Sequence, residues 1–203
     1  GIDYFESPSS NDPGAAPAYR PGTGVEIAKP NGPAGLNRGT FDVTVNHTVG
    51  WNNEGEWYNY TRNFPANTYK VYARTATDVG QTRNTELSRI TSDPTKPNQT
   101  KVVLGTFNGP ATGAWDTWPD AGGASDALLP LKDAAGKEVL LELSGDVTLR
   151  YTFLPGASDI DYLAFLPQTA TGGPKLSVKR EGNDIVIEFE GTLEAADVVT
   201  GPY

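Results

Sequence analysis

Short stretches in which apolar and polar side chains alternate, each closed by a turn-forming pair, recur along this chain and limit its fold more than any other feature. Thr40-Phe41-Asp42-Val43-Thr44-Val45 is the first clear one, and Glu56-Trp57-Tyr58-Asn59-Tyr60-Thr61 repeats the pattern with aromatic rings. Residues 68–75, 85–90, 101–107, 138–143, 147–153 and 160–165 continue it. A strand sends successive side chains to opposite faces, so a period of two marks a half-buried strand. Asp-Pro, Asn-Gly, Ser-Gly and Pro-Gly pairs stand between the stretches. Closely spaced strands with tight turns predict an antiparallel sandwich or barrel, not a helix-linked parallel sheet. Only residues 121–131 hint at a helical turn. The 23 glycines and 16 prolines suit many turns better than long helices.

Residues 1–33 are rich in Pro, Gly, Ser and Asn and read as extended surface chain, with one short strand at Gly24-Val25-Glu26-Ile27. A second change of character comes at Pro167-Gln168-Thr169-Ala170-Thr171-Gly172-Gly173-Pro174, whose small and turn-forming residues predict a linker. The sequence therefore divides into a β-domain over residues 1–167, a linker over 168–174 and a β-rich extension over 175–203. Within the extension, residues 175–180 and 184–189 form a hairpin-like pair about Glu181-Gly182-Asn183. A piece of that size buries little core on its own, so it packs on the first domain, belongs to a partial second sandwich, or lends its strands to another molecule.

Charge and residue usage remove whole classes of function. With 25 acidic against 16 basic residues the net charge is -9, a field that repels phosphate backbones and anionic lipid heads, so nucleic acid is not an expected partner. No apolar run approaches the roughly 18 residues of a membrane span, so membrane insertion is not expected either. The chain has no Cys and a single His, His47, which rules out a disulfide framework, thiolate metal sites and His clusters. No G-x-S-x-G, H-E-x-x-H or phosphate-cradling Gly loop is present, and the reading is of a protein that is not an enzyme. His47 beside Thr48 reads as a surface or locally bonded residue.

Motifs then narrow the class. Val49-Gly50-Trp51 precedes Gly55-Glu56-Trp57-Tyr58-Asn59-Tyr60, and a strand ending in Ala73-Arg74 follows. Ala18-Tyr19-Arg20 and Gly24-Val25-Glu26-Ile27 lie upstream. Thr112-Gly113-Ala114-Trp115-Asp116-Thr117-Trp118 and Asp159-Ile160-Asp161-Tyr162-Leu163-Ala164-Phe165 lie downstream. In order and spacing these resemble the motifs of the family 6 carbohydrate-binding modules and their close relatives, over about Tyr19 to Phe165. The resemblance implies an all-β jelly-roll β-sandwich, here with a short β-hairpin-rich C-terminal extension that resembles the start of an immunoglobulin-like module. It also implies a secreted or cell-surface location and non-catalytic binding of polysaccharide. Sugars offer C–H faces to aromatic rings and hydroxyls to polar groups, so such a site needs both.

The resemblance further assigns residues. Trp51 and Trp115 are expected to face each other across a cleft at the loop end of the sandwich. Asp159, where the family commonly has Asn, is expected to hydrogen-bond the sugar, as an acceptor only while ionised. Asp161 is the expected ligand of a structural calcium shared with acidic residues of the first strand. Trp57, Tyr60, Trp118 and Phe165 fall on strand faces and are expected in the core. The family's opening E-A-E strand has no evident counterpart here. A sandwich lacking that edge leaves backbone groups unpaired, so a second reading is a homo-oligomer or extracellular filament built by strand donation, residues 175–189 being the donor.

Overall fold

The computed structural model describes residues 2–5, 25, 27–28, 47–115, 117–119, 126–168, 176–182 and 184–189. The expected strand at residues 40–45 lies outside them. Contacts divide the chain into two units, Gly1–Pro167 and Gln168–Tyr203, each described here by itself.

The first unit holds β1 (Tyr4–Phe5), β2 (Ile27–Ala28), β3 (Thr48–Val49), β4 (Trp57–Ala76), β5 (Thr82–Ile90), β6 (Lys101–Pro110), β7 (Leu128–Pro130), β8 (Leu140–Phe153) and β9 (Asp159–Gln168). The second holds β10 (Leu176–Glu181) and β11 (Asp184–Phe189), an antiparallel hairpin registered from Leu176 opposite Phe189 to Glu181 opposite Asp184. The described residues are strands and turns, and the all-β jelly-roll expectation holds. The helical hint at residues 121–131 does not survive where the chain is described, since Leu128–Pro130 is a strand paired to β4.

In the first unit the order is β2-β3-β9-β4-β8-β5-β6, with β1 and β7 also on β4. Every one of the named registers is antiparallel. The sheet curls into a closed circuit because β4 has different partners along its length. Trp57 to Lys70 runs beside β8, while Tyr72 to Arg74 pairs with β7. Just past β7, Leu131 N–H donates to Val71 O at 2.9 Å, and Lys132 exchanges two backbone bonds with Thr106 of β6 at 2.8 and 2.9 Å. The register of β4 on β8 shifts between Phe64 and Asn67, opposite Gly145, whose φ of 65° suits a residue without Cβ. Two pairs of segments that read as separate strands are thus continuous bent ones, residues 56–61 with 68–75 and 138–143 with 147–153.

Alternation decides what the curl encloses. Tyr58, Phe64, Tyr69, Val71 and Ala73 of β4 meet Leu141, Leu143, Val147, Leu149, Tyr151 and Phe153 of β8, with Leu87, Phe107, Leu129, Leu131 and Ile160. Each of the larger side chains contributes about 1.5–3 kcal/mol by leaving water. Tyr151 is fully enclosed, accepts a hydrogen bond from Thr85 Oγ1 at 2.8 Å, and burial pushes its phenol well above the ordinary tyrosine range. Its ring meets Phe153 edge to face at 5.3 Å.

The four aromatics expected in the core divide. Trp118 is buried and Phe165 packs against the core, 4.9 Å from Phe64 between ring centres. Trp57 is half-buried on the outer face beneath the Arg150 guanidinium, 3.5 Å above its ring. Tyr60 is exposed, a correction to the expectation, although it points to the same face as Tyr58. The opening of the chain is corrected too. Tyr4 and Phe5, in the opening that was read as extended surface chain, form a short strand paired with Tyr58 and Trp57 of β4.

Candidate functional site

A chain of backbone bonds gathers four connections at one end of the first unit. Gly55 N–H and Glu56 O pair with Phe153, which places the turn before β4 beside the end of β8. Ala157 N–H donates to Thr82 O, joining the turn after β8 to the start of β5. Thr82 pairs with Pro110, and Thr112 N–H donates to Thr77 O, so the turns after β6 and β4 lie at the same end. Gly156 is tight here: a Cβ would stand 2.5 Å from Thr82 O, and its φ is 136°. Trp51 and Trp115 both belong to this loop end, one in the turn before β4 and the other in the turn after β6.

Trp51 is held in an unusual way. Its φ is 53°, a left-handed conformation that a bulky side chain rarely adopts, and the indole is 46% exposed. The next residue explains why the conformation persists. Asn52 is buried, donates to Val49 O and Ser158 O at 3.1 Å each, and accepts from the Tyr58 hydroxyl at 2.9 Å. Beyond it, the buried Glu56 carboxylate accepts from Asn53 N–H at 2.7 Å and Asn53 Nδ2 at 3.0 Å, closing the turn. The turn is therefore determined from both sides while its Trp is left outside. Strain of this kind persists where the surroundings over-determine it, and it clusters at ligand-contacting positions. Asn52→Ala should cost about 1–3 kcal/mol, because the buried bonds to the Tyr58 hydroxyl and the Ser158 carbonyl are lost; chemical denaturation measures it, and no loss would mean that the Asn52 bonds are incidental.

Trp115 is 40% exposed and follows a turn fixed by Thr112. The Thr112 hydroxyl accepts from Thr77 N–H at 2.9 Å and lies 3.0 Å from Thr77 O, while Gly113 and Ala114 bridge Asp78 and Thr77. Below it, the guanidinium of Arg83 is buried. Nε donates to Pro110 O at 2.8 Å, and Nη1 donates to Asp126 O at 2.7 Å and Thr75 O at 3.2 Å. Loss of hydration lowers the Arg83 pKa, with Asp126 acting against that shift. Sequence reading missed Asn52 and Arg83. Nothing in a period-two pattern marks a polar residue that bonds backbone of distant segments.

The two acidic candidates are less open than the rings. Val49 pairs with Ile160, which puts Asp159 beside Gly50, and a Cβ on Gly50 would stand 2.8 Å from Asp159 Oδ1. Asp159 is thus brought to the foot of the Trp51 turn but is only 8% exposed. Asp161 lies deeper and is spoken for: Oδ2 accepts from Arg74 Nη1 at 2.8 Å, with the two side chains 3% and 1% exposed. Arg74 also donates to Trp118 O at 3.3 Å, and its guanidinium carbon lies 5.0 Å from the Trp118 ring centre. Calcium takes six to eight oxygens, commonly from several carboxylates. Among the described residues no three His, Asp or Glu side chains stand together, and Asp161 faces a cation instead. Among the described residues, then, Asp161 is the partner of a buried arginine.

A cavity of about 660 Å³ opens elsewhere, lined by Tyr4, His47, Tyr58, Tyr60 and Asp161 among others, and neither Trp51 nor Trp115 borders it.

No protein-family model matches the chain, and no curated protein does. Solved structures do. A family 6 carbohydrate-binding module from Clostridium stercorarium, in complex with cellobiose, is 18% identical with a TM-score of 0.44, over 63% of this chain and 80% of that one. The module from Cellvibrio mixtus lichenase 5A in complex with cellotriose is 18% identical with a TM-score of 0.44, over 72% and 89%. A β-1,3-glucan-binding module from Bacillus halodurans is 21% identical with a TM-score of 0.42, over 70% and 96%. These family 6 carbohydrate-binding modules are what the chain is similar to among solved structures.

Proposed function

We propose that this chain binds extracellular polysaccharide without cleaving it, as a secreted or cell-surface protein. Trp51 and Trp115 stack on sugar rings, and polar groups of the loop end, Asp159 among them, accept from hydroxyls. The observation that carries the reading is Trp51: an exposed indole, kept in a left-handed backbone by a buried Asn52 network, on the same loop end as a second exposed indole. Each stacked ring adds roughly 0.5–1.5 kcal/mol beyond the area it covers. Reversible binding follows from such modest terms.

Affinity for a panel of soluble glycans, with the parent chain and with Trp51→Ala and Trp115→Ala, tests the proposal. Each substitution should weaken binding about tenfold, near 1.4 kcal/mol, with little change in the denaturation midpoint, because both side chains are exposed. Full affinity retained by both folded variants would reject the assignment.

A further inference from the structure

Among the described residues, the two exposed rings stand in an acidic setting. In the loop-end segments, residues 50–56, 77–82, 110–115, 117–119, 126–127 and 154–159, there is no Lys or Arg. The same segments hold Glu54, Glu56, Asp78, Asp126 and Asp159. Glu54 is exposed three residues after Trp51, and Asp159 lies under the preceding Gly50. Asp78 bridges Gly113 on the approach to Trp115. The arginines nearest this end, Arg74 and Arg83, are each 1% exposed and turned to interior acceptors.

Exposed cations gather at the other end. Arg89 and Lys101 lie where β5 meets β6, Lys96 is in the loop between them, and Lys137 precedes β8. There they are interspersed with acids, as Lys101 is with Glu86 at 2.6 Å. Among the described residues, charge is therefore sorted along the unit: a mixed far end, and a loop end that carries acids and no exposed Lys or Arg. Opposite charges within about a Debye length, ~8–10 Å, attract through water; Glu54 and Asp159 lie beside the Trp51 turn and Asp78 beside the Trp115 turn.

We propose that the loop end prefers polysaccharides bearing protonated amines, such as partly deacetylated amino-sugar polymers, over neutral ones, and discriminates against uronate or sulfate polymers. This rests on the binding reading of Trp51 and Trp115 given above and names the ligand class for that same surface. Stacking takes the sugar face, which is common to all three polymer types. The carboxylates then act on what differs between them, and electrostatic complementarity of this kind governs specificity more than raw affinity.

Calorimetric titration of the full chain with chitosan, chitin and polyuronate oligosaccharides of equal length, in mildly acidic buffer at low and raised salt, tests it. The amine-bearing oligomer should bind about tenfold tighter than its acetylated counterpart at low salt, with the gap closing as salt rises. The Glu54→Gln/Asp78→Asn variant, altered only at positions that are not buried, should reduce that gap to about threefold or less without weakening chitin binding. Trp51→Ala should weaken both neutral and cationic oligomers. Equal or tighter binding of the neutral oligomer overturns the charge preference and leaves the stacking reading standing. Salt-sensitive chitosan binding that survives both Trp substitutions also overturns it, since it would show capture by the acidic chain at large. If no glycan of any charge binds, the underlying reading fails and this one with it.

Discussion

Asp161→Ala will destabilise the first unit by about 3–5 kcal/mol, and calcium will have no part in the loss. Asp161 and Arg74 form an ion pair of 2.8 Å with both side chains essentially removed from water. Such a pair need not stabilise the fold relative to a well-packed apolar pair, because both ions were dehydrated to make it. Removing one member is a different matter. The Arg74 guanidinium would remain buried beside the Trp118 ring, 5.0 Å from its centre, with the Asp161 carboxylate gone, and about 3–5 kcal/mol is the usual consequence of breaking a buried pair. Asp161→Asn keeps an acceptor and should lose less. Denaturant midpoints measure both, and a loss under about 1 kcal/mol would show that Arg74 is satisfied without its partner. The same titrations with added calcium and with a chelator separate this from a metal-ligand role: equal midpoints are expected, and a chelator-induced shift would restore calcium to Asp161.

Much of the fold was legible because burial obeys the strand period. The alternation in residues 56–61, 68–75, 101–107 and 147–153 located strands whose inner faces are the core, since one face of each had to be apolar. Breaks between strands were less legible. Ser144-Gly145 reads as a turn, yet β8 runs through it, because a glycine with positive φ also serves a bend inside a strand. Asn108-Gly109 likewise reads as a stop, yet β6 continues to Pro110. There the reason is room: a Cβ on Gly109 would stand 2.7 Å from Leu129 Cδ2 and 2.8 Å from Arg83 Nη2.

The candidate site shows the same division. Trp51 and Trp115 stood out among Gly, Asn and Asp, where a large ring has no core to enter, and both are exposed. Tyr60 misled because it has the parity of Tyr58, and parity gives the face but not whether anything covers it. Asp161 shows a related limit. A carboxylate in a strand motif gives no sign of whether it faces a cation from solvent or one from the chain, and Arg74 lies 87 residues earlier. Pairings at such separations depend on topology, which local pattern does not encode.

Arg83 supplies the second large effect, and it ties the fold to the site. Its guanidinium bonds the carbonyls of Thr75 at the end of β4, Pro110 at the end of β6, and Asp126 before β7. These are the roots of the segments that flank Trp115. Arg83→Met fills similar volume but donates nothing, leaving the buried Thr75 carbonyl unbonded at about 1–3 kcal/mol, while the part-buried bonds to Asp126 O and Pro110 O add less because water can replace them. Arg83→Lys should recover less than half of that, because a single ammonium lacks the planar fork that reaches several carbonyls at once. If Arg83 only stabilises, folded Arg83→Met will bind glycan like the parent. If it also sets the Trp115 turn, affinity will fall several-fold at temperatures where the variant is fully folded, and Trp115→Ala on top of Arg83→Met will add less than it does alone. The coupling follows from placement, since Thr82, the neighbour of Arg83, pairs with Pro110 and accepts from Ala157. One buried cation thus holds the ends of three strands in the arrangement that leaves an indole in water.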